Sequence, residues 1–225
     1  MKISTLVILH VIVSLLAFSS LSVAQEDVPE VTVDGLHLVE NTNLAMVYAQ
    51  PGVDLSQYRR IYLADAYIAF KKNWRRDQNR SVTNKVSTND MTKIMAELSL
   101  LFRDVFTATL QEGGYELVNE RAEDVLIIKP AIINLDVIAP DTMSAGNTHS
   151  YSETAGEMTL YLELYDSITD DLIAKALDRQ KDRQTGHFQW QNRVSNRAAA
   201  NRILQVWANV LKEGLDEARG IEQAP

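Results

Sequence analysis

The chain has 225 residues, 46% hydrophobic and 23% charged, with no cysteine and a formal net charge of −8. That size suits one globular domain with a sizeable core, and the apolar fraction with only Gly 9 and Pro 5 excludes disordered, collagen-like and low-complexity chains. The missing cysteine excludes disulfides, zinc ribbons, iron–sulfur clusters, thiol catalysis and a lipoprotein-type lipid anchor, and the acidic balance argues against a nucleic-acid binder.

The chain starts with a positive Met1-Lys2 and an almost continuously apolar run from Leu6 to Phe18, followed by Ser22-Val23-Ala24 with small residues at both ends. A charge, a short apolar core and a small-x-small exit describe a secretory signal peptide, cleaved after Ala24. The run is shorter than the roughly 20 residues a bilayer span needs, and an uncleaved anchor is the alternative. No later stretch reaches spanning length, so the mature chain is expected to be periplasmic or secreted, free of transmembrane segments and not lipid-anchored. Residues 25–34 carry four acidic residues and one proline and read as a flexible entry segment. Residues 35–220 read as a single globular domain.

Within that domain, Arg60–Phe70 alternates as one strand, with Ile61, Leu63 and Asp65 on one face and Tyr62, Ala64, Ala66, Ile68 and Phe70 on the other. Ser87 and Asp90 resemble a capping box, and the apolar residues from Met91 to Leu110 recur at helical spacing until Gly113-Gly114. A second strand covers 125–138, with Val125, Ile127, Ala131, Ile133, Leu135 and Val137 in alternation. Glu157–Tyr165 is the cleanest strand, and after the turn cluster 166–171 the chain returns over 172–179 as its hairpin partner. A closing helix runs from about Asn192 to Ala218, with Val194, Ala198, Ile203, Val206, Trp207, Val210, Leu211 and Leu215 as its buried stripe. The predicted fold is α+β: a mixed, mostly antiparallel sheet with two long helices packed on it, in the order strand, helix, strand, antiparallel meander, helix.

If the strands at 60–70 and 125–138 pair in parallel through the intervening helix, the connections 71–87, 139–156 and 180–191 emerge at one rim of the sheet. Residues 71–80 carry five basic residues and one acidic residue in an acidic protein. Lys71, Lys72, Arg75 and Arg76 beside Trp74 suit an anionic envelope component or an acidic protein surface, with Asp141, Thr142, Ser144, Gly146, Trp190 and Asn192 as the surrounding wall. The blander reading has the cations pairing with nearby carboxylates and Trp74 plugging the end of the sheet. Asn79-Arg80-Ser81 fits the glycosylation pattern but carries little weight.

Catalytic signatures are sparse. Ser144 lacks the first glycine of a nucleophile elbow, His37, His149 and His187 have no metal-ligand spacing, and no motif calls for a metal or cofactor. Asp65, Asp136, Asp141 and Glu157 near strand ends leave open an acid/base pair acting on envelope polymers. A structural subunit offering a strand edge or helix face to an oligomer is the third reading.

Several stretches resemble a bacterial envelope family numbered 3313 among domains of unknown function. They are Asp34-Gly35-Leu36, residues 51–58, Ala69-Phe70-Lys71-Lys72-Asn73-Trp74, Gly113-Gly114-Tyr115, residues 139–146, residues 156–160 and Gln189-Trp190-Gln191-Asn192. The resemblance implies an exported Gram-negative protein of a family often labelled lipoprotein, and it supplies no activity and no catalytic residues. This chain departs from the lipoprotein pattern because no cysteine follows its signal. The expectation is a non-catalytic binding or assembly module working through the rim.

Overall fold

A computed structural model describes residues 28–80, 85–137, 150–152, 156–181, 189–191 and 193–220; residues 1–24, expected from sequence to be a signal peptide, lie outside them. The fold is α+β. Its main sheet is built from β1 (His37–Leu38), β2 (Met46–Ala49), β3 (Arg60–Leu63), β4 (Tyr67–Phe70), β5 (Glu116–Leu117), β6 (Val125–Val137), β8 (Gly156–Asp166) and β9 (Leu172–Lys181). The spatial order is β1-β2-β9-β8-β6-β3-β5, with β4 continuing beside β6. A separate ribbon pairs β7 (Ser150–Ser152) with β10 (Gln189–Gln191).

The long helix α2 (Thr88–Glu112) starts where its sequence says it should. Ser87 Oγ accepts from the Asp90 amide at 3.1 Å while Asp90 Oδ2 accepts from the Ser87 amide at 2.8 Å, a complete capping box. At its other end Gly114 takes a φ of +77°, and the Tyr115 and Gly114 amides close back on the Leu110 and Gln111 carbonyls at 3.0 and 2.9 Å, a Schellman closure. Phe102 and Phe106 stack at 3.9 Å between ring centroids, and with Leu98, Leu101, Val105 and Leu110 they seat the helix on the sheet.

The crossover through α2 makes β3 and β4 parallel to β6, whereas β6–β8 and β8–β9 are antiparallel. Arg60–Phe70 is not one strand, however. From Leu63↔Ile128 to Tyr67↔Ala131 the first chain advances four residues and β6 only three. The extra residue is a bulge that flips the inward phase from Ile61 and Leu63 to Ala66 and Ile68 and leaves Asp65 exposed. Ile128 points its carbonyl toward this side, accepting from the Ala64 amide at 2.9 Å. By backbone alternation Pro130 also turns its nitrogen toward the gap, where no ladder bond is asked of it.

A second bulge lies in β6 at Asn134, whose φ is +53°. The inward residues of β6 are Leu126, Ile128 and Ile132 before this bulge, where alternation pointed to the odd-numbered residues, and the expected Leu135 and Val137 after it. In the closing helix α3 (Arg193–Ala218) the expected Ile203, Trp207, Leu211 and Leu215 are buried and are joined by Ala199, Leu204 and Ala208, whereas Ala198 is exposed and Val206 is 50% exposed.

Both long helices lie on the inward face, and the opposite face carries Lys129, Tyr161, Glu163, Tyr165 and Lys175. Residues 28–34 are not a free entry segment. Val31 bridges to His37, the Leu38 amide donates to the Glu30 carbonyl at 2.8 Å, Tyr48 Oη donates to the Pro29 carbonyl at 2.9 Å, and Asp34 pairs with Lys175 at 2.5 Å. The turn is made at Gly35, whose φ of +79° suits glycine.

Candidate functional site

Because β4 and β6 are parallel and β6, β8 and β9 alternate, the ends at Phe70, Val137, Gly156 and Lys181 fall at one rim. Residues 71–80 turn there into a short helix, α1 (Trp74–Gln78), entered through Asn73 at a φ of +65°. Trp74 is only 3% exposed. Its ring stacks on Phe70 at 4.2 Å and its Nε1 donates to the Val137 carbonyl at 3.1 Å, a carbonyl that also accepts from Gln78 Nε2 at 3.2 Å. Trp74 therefore plugs the sheet end and offers no aromatic surface to a ligand.

The next turn is clamped as well. Asn79 Nδ2 donates to the Val86 carbonyl at 3.1 Å and Asn79 Oδ1 accepts from the Val86 amide at 2.7 Å, so the side chain of the glycosylation-like triplet is engaged in the fold. Arg75 donates to Thr88 Oγ1 at 2.7 Å, fastening α1 to the start of α2.

The rim cations fall into two groups. Lys71 and Arg179 stand over strand-end carboxylates: Lys71 Nζ lies 2.9 Å from Asp136 and 3.9 Å from Glu157, and Arg179 reaches both oxygens of Glu157 at 2.6 Å. The Arg179 hydrogen bonds hold the Glu157 carboxyl below its ordinary range, and Asp136 raises Lys71. Asp65 is bound to Arg103, five residues short of the rim along the chain, so it does not join these groups. Paired and stabilised as an anion, Glu157 lacks the raised proton affinity that a general acid requires.

The second group surrounds α1. Lys72, Arg75, Arg76, Arg80 and Lys85 are all exposed, and the carboxylate among them is Asp77, which Arg76 and Arg80 approach at 3.2 and 3.7 Å. Of the sequence-predicted site residues, the structure thus brings Lys71, Lys72, Arg75 and Arg76 together around a buried Trp74. Trp190 sits in β10 opposite Tyr151. Asp141, Thr142, Ser144, Gly146 and Asn192 lie outside the described residues.

Two polar arrangements were not anticipated. Asp178, buried at 5% exposure, accepts from Trp207 Nε1 at 2.7 Å, the Ala45 amide at 3.0 Å and Gln180 Nε2 at 2.8 Å, tying β9 to α3 and the approach to β2. Its inward phase, shared with Ala174 and Ala176, was the available signal. On the open face Tyr161 and Tyr165 both donate to Glu163, at 2.8 and 2.9 Å, and Lys129 Nζ lies 3.8 Å over the Tyr165 ring. No group of His, Asp and Glu among the described residues is arranged to hold a metal ion.

The chain matches, over residues 37–211, the family described as a protein of unknown function, DUF3313. It belongs to that family. No curated protein matches. Solved structures to which this DUF3313 member is similar include the PelC dodecamer from Paraburkholderia phytofirmans, at 10% identity, covering 74% of this chain and 96% of that one with a TM-score of 0.38. A DUF330-family protein from Xanthomonas campestris is 11% identical, covering 72% and 85% with a TM-score of 0.41. A minor lipoprotein from Acinetobacter baumannii is 9% identical, covering 70% and 94% with a TM-score of 0.30. No helix among the described residues is long and apolar enough to cross a membrane.

Proposed function

We propose that this DUF3313 protein is exported into the bacterial cell envelope and acts there as a non-catalytic binding or assembly module, docking an acidic surface on the rim around α1. The observation that carries this reading is the division of labour among the rim cations. Lys71 and Arg179 are neutralised by Asp136 and Glu157, while Lys72, Arg75, Arg76, Arg80 and Lys85 are exposed around a helix anchored by Trp74, where Asp77 pairs with Arg76 and Arg80. Long cationic side chains held on a fixed element lose less freedom on binding than those on a loose loop. Export rests on the Lys2, Leu6–Phe18 and Ser22-Val23-Ala24 pattern.

The test uses immobilised heparin as a polyanionic probe. A protein of net charge −8 is retained at low salt only if its positive charge is locally concentrated. Replacing Lys72, Arg75, Arg76 and Arg80 with Ala should abolish retention while leaving the thermal midpoint within a few degrees. Equal retention of that variant, or none by the wild-type protein, would sink the rim as a binding surface.

A further inference from the structure

The strands that gather the cations at one rim deliver carboxylates to the other end of the same sheet. The amino end of β6 lies beside the start of β3 and the end of β8, and Tyr115 Oη donates to Asp216 at 2.9 Å, bringing the end of α3 to the same pole. Residues 112–124, 166–171 and 212–219 with Arg59 and Arg60 hold eleven Asp and Glu against five Lys and Arg, a sum of −6. At the rim, residues 71–80, 85–90 and 179–181 with Asp136 and Glu157 hold eight basic and four acidic residues, a sum of +4 among the described residues. The poles are separated by the 13 residues of β6, about 40 Å at ~3.3 Å per residue.

At the acidic pole most cations are already engaged. Arg60 binds Asp124 and Glu120, Arg121 binds Asp170 at 2.8 Å, Lys212 binds Asp216 at 2.8 Å and Arg219 covers the Tyr115 ring. The exposed remainder is Glu112, Glu116, Glu123, Asp171 and Glu217. Forty ångströms is several screening lengths at physiological salt, so neither pole neutralises the other within one molecule.

We propose that the acidic surface taken by the rim is the opposite pole of a second copy of this chain, giving a head-to-tail contact between copies. This rests on the reading of the rim as a docking surface and names its partner. Joining unlike patches makes the contact heterologous, so it can repeat from copy to copy and either closes into a ring or continues as a filament. Its strength is set by charge complementarity and falls as salt rises.

Sedimentation velocity on the full mature chain tests this, from micromolar to hundreds of micromolar protein, at about 30 and about 300 mM NaCl. The wild-type protein should associate with rising concentration at low salt, with association roughly tenfold weaker at high salt. A rim-reversed variant (Arg75→Glu, Arg76→Glu, Arg80→Glu) and a tail-reversed variant (Glu116→Lys, Glu123→Lys, Glu217→Lys) should each stay monomeric alone. An equimolar mixture of the two should associate again, because each then meets its complement. Circular dichroism confirms that both variants are folded, and the restored mixture confirms it independently. A wild-type protein that stays monomeric at low salt overturns the proposal, as does association indifferent to both variants or a mixture that fails to restore it. Loss of heparin retention in the rim-reversed variant of a monomeric wild-type protein would overturn self-pairing while leaving the rim as an anion-binding surface. Absence of heparin retention in the wild-type protein would overturn both.

Discussion

Replacing Trp74 separates an anchoring ring from a ligand-stacking one. The side chain is 3% exposed, stacked on Phe70 and bonded to the Val137 carbonyl at 3.1 Å. Truncating a buried Trp to Ala costs about 3–5 kcal/mol in lost transfer free energy and residual cavity. The low end applies here, because the Val137 carbonyl keeps its bond from Gln78 at 3.2 Å and is not orphaned. At about 2–4 °C per kcal/mol for a domain of this size, Trp74→Ala should lower the melting temperature by roughly 6–12 °C. Trp74→Phe keeps the stacked ring and loses one hydrogen bond, worth about 1 kcal/mol, so it should cost only a few degrees. Thermal unfolding by circular dichroism, with heparin retention measured on the folded variants, reads both effects. A Trp74→Ala protein within 2 °C of the wild type would refute the anchoring role, as would Trp74→Phe falling as far as the alanine variant.

Other outcomes follow from single contacts. Gly156 sits at a φ of +145°, and a Cβ there would meet the Asp136 carbonyl oxygen at 2.2 Å. Gly156→Ala should therefore destabilise by about 2–5 kcal/mol through backbone strain and overlap, measured by urea unfolding. Asp178→Ala leaves the Trp207 and Ala45 donors without their acceptor, at about 1–3 kcal/mol each, whereas Asp178→Asn keeps one acceptor oxygen and should cost less in the same assay. In alkali, burial and a hydrogen-bonded carboxylate (Asp166, Asp216 and Glu163 in turn) push Tyr58, Tyr115 and Tyr165 up to about 12 from an ordinary 10.0. Between those values the unfolded chain loses protons that the folded chain retains. Stability should therefore be full below pH 10 and fall as pH rises toward 12, with phenolate absorbance showing these tyrosines ionising late unless the protein is first denatured.

The parts of the fold that could be read from sequence are those where one local signal settles the structure. Ser87 and Asp90 state the start of α2, Gly113-Gly114 states its end, and Met158, Leu160, Leu162 and Leu164 state which side of β8 is inward. The parallel crossover, and with it the rim, followed from element order. The two bulges were hidden because both phases of Arg60–Phe70 and of β6 are apolar: Val125 and Ile127 are as buried as Leu126 and Ile128. With no polar contrast, a period of two cannot report a change of phase. The α3 stripe drifted for a related reason, since alanines at 198, 199 and 200 give no preference for a face. At the site, sequence left Lys71 and Trp74 either as partners on a surface or as a paired cation and a plug of the sheet end. The register of β6 with β8, which brings Asp136 and Glu157 beneath Lys71, decides that Lys71 is neutralised, and the Phe70 stack and Val137 hydrogen bond decide that Trp74 is enclosed.

The interruption between β3 and β4 also bears on which wrong structures the chain avoids. An unbroken strand over 60–70 is the nearest competing register, and its alternation makes it locally attractive. In that arrangement Asp65 would follow Ile61 and Leu63 inward and carry an ionised carboxylate under the helices, a cost of several kcal/mol. The same zippering would lay a hydrogen-bonding strand against Pro130, which has no amide to give. An exposed aspartate and a buried proline therefore act as guards: each is harmless where it sits and expensive one residue out of step. The prediction for folding is a kinetic one, that Asp65→Val combined with Pro130→Val would populate slow-folding, misregistered species, visible as an added refolding phase.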